Sequence, residues 1–190
     1  WEGADLTNLG VVYGNLGQYQ EALKYYEQAL VIHREISDRR GEGVDLTNLG
    51  VMYDNLGQYQ EEAAAFQDSL KIHNVLGTKD SLWRAQRGIA SVEVKLKQPE
   101  SAITHYEQAL DTIEALRAGL IEKEHKLSFM QNKLFVYDEL INLLQDLHKQ
   151  HLDKGYDRKA LEIFERKQGR VFLEEMGQSG ARNFAGIPEE

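Results

Sequence analysis

Apolar residues in the first half of the chain recur at helical spacing of three and four, not in strand-like alternation. Leu6, Leu9, Gly10 and Tyr13 fall on one face of a predicted first helix. Gly17 ends it, since glycine adopts the left-handed C-terminal conformation without a Cβ clash. A second helix follows, with Ala22, Tyr26, Ala29 and Leu30 on one face. The pattern then returns. Glu2 to Glu21 and Glu42 to Glu61 differ only at Ala4/Val44, Val12/Met52 and Gly14/Asp54, an offset of 40 residues. A weaker third copy lies another 40 on, where Ile89, Ala90, Leu96, Tyr106 and Ala109 replace Leu9, Gly10, Leu16, Tyr26 and Ala29. Pro99 stands where the third copy's second helix should open, a position that tolerates proline.

Small residues at Gly10, Ala22 and Ala29 would let helices approach closely, with Tyr13 and Tyr26 filling the space between. This small–large pattern resembles the tetratricopeptide repeat (TPR), whose usual period is about 34 residues. The extra length lies in Arg34 to Gly41. Together with the N-L-G-x-x-Y…L-G run at Asn8 to Gly17, it resembles the long TPR variant of kinesin light chains and of adaptors that regulate G-protein α subunits. The resemblance covers about residues 1–112. It implies an all-α, right-handed α-solenoid of TPR hairpins whose first helices line a concave groove. Two departures stand out. Glu62 replaces Ala22, which predicts a slight helix rotation or an edge position reaching solvent. Glu93 replaces Tyr13 and Tyr53, which predicts a less buried site.

Beyond Ile113 a three–four alternation continues through Leu116, Leu120, Leu127, Met130, Leu134, Tyr137, Ile141 and Leu144, broken at Lys123 and His148. It predicts a break near Gly119 and a long helix from Glu124 to Leu152 packed against a neighbour. After a turn at Asp153 to Tyr156, a last helix should span Asp157 to Met176 with Ala160, Phe164, Val171 and Phe172 inward. The expected organisation is three repeats over 1–112 (about 1–40, 41–80 and 81–112), an extended TPR-like hairpin over 113–178, and a linker over 179–190. Lys133, Tyr137 and Leu140, then Ala160, Glu165, Arg170, Phe172 and Leu173, resemble the junction between TPR arrays and a CHAT domain, a caspase-like peptidase fold. By that resemblance the chain would be the regulatory arm of a peptidase whose catalytic domain lies beyond Glu190.

Composition narrows the function classes. The 190 residues contain no cysteine, which excludes disulfides, a cysteine nucleophile and thiolate metal ligands. A net charge of -9 has the wrong sign for a general nucleic-acid binder, so an RNA-binding solenoid is the least favoured reading. No apolar run reaches the roughly 18–20 residues that span a bilayer, and no signal-peptide pattern opens the chain. Trp1 is not an initiator, which points to a fragment or a processed chain. We expect a cytoplasmic, non-catalytic protein-binding scaffold with no cofactor or metal. Uncovered apolar ends at Trp1 to Leu6 and Phe172 to Phe184 could support self-association.

The candidate partner-binding residues are Asn8, Asn15, Asn48 and Asn55, flanked by Thr7, Thr47, Val11 and Val51. Asn8 and Asn15 lie seven residues apart, about two turns along one helix face. An asparagine amide both donates and accepts, so it can bond an extended peptide backbone. The same amides could instead cap or bridge neighbouring repeats. In the third copy Arg87 and Lys95 would make that end of the groove basic and favour an acidic peptide. His33 and His73, at second-helix ends, fit a favourable helix-dipole contact. His148 and His151 are three apart with Asp153 near, but no third metal ligand is fixed. Lys159, Arg166, Lys167 and Arg170 are interleaved with glutamates, which predicts i,i+4 pairing on a solvated face.

Overall fold

The computed structural model describes residues 2–120 and 129–179, with side chains as far as 172. Eight helices are formed among the described residues: α1 (Glu2–Asn15), α2 (Tyr19–Glu35), α3 (Arg39–Asn55), α4 (Tyr59–Leu76), α5 (Lys79–Lys95), α6 (Pro99–Ala118), α7 (Leu134–Gln150) and α8 (Tyr156–Ser179). They follow one another as hairpins, and none is long and apolar enough to cross a membrane. The chain forms two compact units, 1–109 and 110–190.

In the first unit, second helices α2, α4 and α6 open at Tyr19, Tyr59 and Pro99. The turns before them close alike: the amides of Gln18, Gln58 and Gln98 donate to the carbonyls of Tyr13, Tyr53 and Glu93 at 2.9, 2.9 and 2.8 Å. That closure requires a left-handed residue one position earlier. Gly17 and Gly57 supply it at φ 73° and 70°, whereas Lys97 adopts φ 57° at the same place. Asp38 caps α3 by accepting the Gly41 amide at 2.9 Å.

Packing between hairpins rests on close approach. Ala22, Leu23, Tyr26 and Leu30 of α2 cluster with Leu46, Leu49 and Met52 of α3 and with Ala65 and Ile72 of α4. The Tyr26 ring lies so close to α1 that a Cβ on Gly10 would sit 2.6 Å from it. Phe66 lies against two first helices: a Cβ on Gly50 would meet it at 2.8 Å and one on Gly88 at 2.5 Å.

Both expected departures resolve differently. Glu62 neither rotates the helix nor reaches solvent; it is buried in the place of Ala22, with Lys95 Nζ 3.2 Å away. Glu93 is likewise buried, because Ser101 and His105 supply hydrogen bonds from α6, the latter at 2.8 Å. A carboxylate can replace an apolar side chain there only because such partners are present.

In the second unit the expected helix from Glu124 to Leu152 is interrupted. Residues 129–131 are helical, Asn132 and Lys133 form a turn, and α7 begins at Leu134. The part before 129 lies outside the described residues. No glycine or proline marks this turn. Met130 and Val136 on either side of it are both buried. Helix α8 continues through Gly177 to Ser179. The rest of the expected linker lies outside the described residues, as do Trp1 and Phe184 of the expected apolar ends.

The inward face of α8 is also not the expected one. Ala160 and Ile163 are buried, while Phe164 and Phe172 are 44% and 59% exposed. Arg166 donates to Glu114 at 2.6 Å and to Asp111 at 2.7 Å, Arg170 to Glu114 at 2.9 Å, and Lys167 to Asp138 at 2.6 Å. These long-range pairs hold Arg166, Lys167 and Arg170. Tyr137, fully buried, donates to Glu114 at 2.6 Å. Burial alone would raise the Glu114 carboxyl, but bonds from Arg166, Arg170 and Tyr137 outweigh it and hold it at about 2.

Two predictions follow from these geometries. Lys97→Gly removes a left-handed non-glycine and should raise stability by about 1 kcal/mol, read as a higher urea midpoint with unchanged slope. Glu114, depressed in the folded state, stabilises above its ordinary value of 4.5 and loses that contribution as pH falls toward about 2. Thermal melts across that range should show a steep acid loss that Glu114→Gln flattens.

Candidate functional site

First helices α1, α3 and α5 lie side by side, α1 against α3 and α3 against α5. Each carries a stripe at the same register: Ala4, Asn8, Val11 and Asn15 on α1; Val44, Asn48, Val51 and Asn55 on α3; Arg84, Gly88, Ser91 and Lys95 on α5, where Gly88 is buried against Phe66. The spacing of four, three and four keeps each stripe on one helix face.

Asn8, Asn15 and Asn55 are exposed and Asn48 is half-buried, with Val11 and Val51 open between them at 41% and 40%. Asn55 donates to the Val51 carbonyl of its own helix at 2.8 Å. Asn8, Asn15 and Asn48 have no side-chain hydrogen bond among the described residues. Three uncommitted amides with two apolar gaps therefore share one surface.

Thr7 and Thr47 sit elsewhere. Thr7 donates to Asp45 at 2.6 Å, and the other oxygen of Asp45 meets His33 Nδ1 at 2.6 Å. This bridge ties α1, α2 and α3. Burial pushes the Asp45 carboxyl above its ordinary value, against the hydrogen bonds of Thr7 and His33. In the next repeat Ala85 stands in place of Asp45. Thr47 there bonds Ser69 at 2.6 Å and the Gly43 carbonyl at 3.0 Å. His73 meets Thr78 at 2.7 Å through Nδ1, and its Nε2 has no partner among the described residues. Burial lowers its basicity. Both histidines are buried side chains.

At the α5 end Lys95 is not a free cation. It pairs with Asp54 and, at 3.2 Å, with Glu62, and lies over the Tyr59 ring at 5.1 Å. Burial disfavours its charge, but the bonds to Asp54 and Glu62 outweigh it and hold its basicity up. Arg87 is half-buried and favours the charged form of Glu62. Arg84 is exposed and stacks over Trp83 at 5.4 Å. The Lys95–Asp54–Glu62 cluster was legible only as the odd Glu62; nothing in the sequence pairs it with a lysine 33 residues on. In the second unit His148 lies 3.9 Å from Asp157. Among the described residues no three ligand-type side chains converge as a metal site would require.

Residues 4–74 match the tetratricopeptide repeat family. The described residues are all-α, in consecutive hairpins like those of TPR solenoids. The chain is similar to a Podosopora anserina protein described as a kinesin light chain with nearly identical TPR-like repeats. The two share 19% identity over 95% of each chain, with a TM-score of 0.54. BtubC (BKLC) from P. vanneervenii is 19% identical, with 99% of this chain and 85% of that one covered and a TM-score of 0.57. Aspartyl phosphate phosphatase F from Bacillus subtilis is 14% identical, with 97% and 51% covered and a TM-score of 0.56. At these identities the likeness is one of fold. No curated protein matches the chain.

Because Thr47 bridges helices inside the TPR segment, Thr47→Ala should cost about 0.5–1.5 kcal/mol of stability by removing its bond to Ser69, which keeps the Gly43 carbonyl at 2.9 Å. A chemical denaturation curve measures this, and affinity for any groove ligand should stay unchanged.

Proposed function

We propose that this chain is a protein-interaction scaffold that holds an extended peptide along the stripe of α1 and α3. The observation that carries the reading is the set of uncommitted amides at Asn8, Asn15 and Asn48, spaced along one face with Val11 and Val51 open between them. A buried or bridging role would have consumed those amides, as it consumes Thr7 and Thr47. Each asparagine can donate to a peptide carbonyl and accept from a peptide amide, while the valines take apolar side chains. Acidic residues of the ligand would face Arg84 and Arg87 on α5. Lys95 adds little there, since Asp54 and Glu62 already compensate it.

Asn8→Ala combined with Asn48→Ala should weaken binding of a captured peptide by at most a few kcal/mol, at about 0.5–1.5 per hydrogen bond lost. Isothermal titration with the wild-type and double-variant chains tests this. Equal affinities with both chains folded would overturn the asparagine assignment.

A further inference from the structure

The two closely matched repeats differ in what surrounds one histidine. His33 and His73 hold the same place in successive copies. His33 has a carboxylate near each ring nitrogen: Asp45 at 2.6 Å from Nδ1 and Asp38 at 4.0 Å from Nε2. The counterparts of Asp45 and Asp38 in the next copy are Ala85 and Thr78. Both carboxylates are gone from the second site, and the histidine is kept.

His73 stands where three helices meet. It belongs to α4, and its Nδ1 meets the hydroxyl of Thr78, the N-cap residue of α5, at 2.7 Å. Its ring abuts the backbone of α3, where a Cβ on Gly43 would lie 2.8 Å from it. The side chain is fully buried, and Nε2 has no hydrogen-bond partner among the described residues. The Gly43 carbonyl already accepts from Thr47 at 3.0 Å and from Ser69 at 2.9 Å, which uses both of its lone pairs. A proton added at Nε2 would be buried with no open acceptor, at a large cost. Of the charges on α3, Asp45 is held by Thr7 and His33, and Arg40 repels a cation at His73. From α5, Thr78 and Ala85 bring no charge. Burial is the main effect lowering the basicity of His73; Arg40 adds to it and the Gly43 carbonyl opposes it.

We propose that His73 is an acid-sensitive latch at the meeting point of α3, α4 and α5: a proton on its ring loosens the third hairpin from the second. Helix α5 carries Arg84, Arg87 and Lys95, so acid would draw the basic end of the stripe away from α3. The inference stands on the surroundings of His73 and does not rest on peptide binding.

Hydrogen–deuterium exchange of the full chain from about pH 7.5 to about pH 5, corrected for the chemical exchange rate, tests it. Opening exposes His73 to a proton it resists when buried. The stability it leaves in place above its ordinary value of 6.5 is therefore lost below that value. Protection of the α5 amides should fall by up to about ten-fold per pH unit below 6.5. His73→Asn, which takes up no proton, should flatten that loss. Ala85→Asp returns the carboxylate of the first site and should shrink it. If either variant loses its helical circular dichroism, the wild-type chain decides alone: followed by NMR, its His73 ring should stay neutral in the folded chain at about pH 6. Wild-type protection that is flat across the range overturns the proposal. So does a loss undiminished in either folded variant, or a His73 ring that takes up its proton near 6.5 with the fold intact.

Discussion

The array depends on how near one helix backbone can come to an aromatic ring on the next. Tyr26 and Phe66 occupy spaces that no Cβ could share, because glycines at 10, 50 and 88 leave them open. Phe66 lies against first helices of two successive repeats at once, so a single ring couples a hairpin to its follower. Interiors packed this closely respond to one added methyl. The glycines therefore set the separation of α1, α3 and α5 and with it the spacing of the exposed stripe.

Polar groups between repeats are less uniform than the apolar ones. The first interface uses a buried carboxylate between Thr7 and His33. The second replaces that carboxylate with Ala85 and satisfies Thr47 through Ser69. A third arrangement buries Glu62 under Lys95 and Glu93 under Ser101 and His105. Each solution leaves the apolar frame unchanged, because a buried polar group needs a partner but not a particular one. Near-identical repeats can thus diverge at these positions without losing the stack.

The second unit is organised around charge. Glu114 gathers two arginines and a tyrosine, and that cluster ties α6 to α7 and α8. Leu161, Phe164 and Phe172 are exposed, where the sequence pattern had placed two of them inward.

By itself the sequence determined the helix type, the hairpin order, the turn glycines and the stripe that holds Asn8, Val11, Asn15, Asn48, Val51 and Asn55. All of these follow from local periodicity, backbone conformation and near-identity between copies. Tertiary structure decided which stripe residues were free. Thr7, Thr47 and Lys95 carry the right chemistry for a groove, but partners distant in sequence claim them. It also decided that Glu62 and Glu93 are buried, that a helix breaks at Asn132, and that the basic face of α8 points inward. Each outcome depends on an ion pair or hydrogen bond between separate helices. Local spacing carries no information on which distant side chain arrives to complete it.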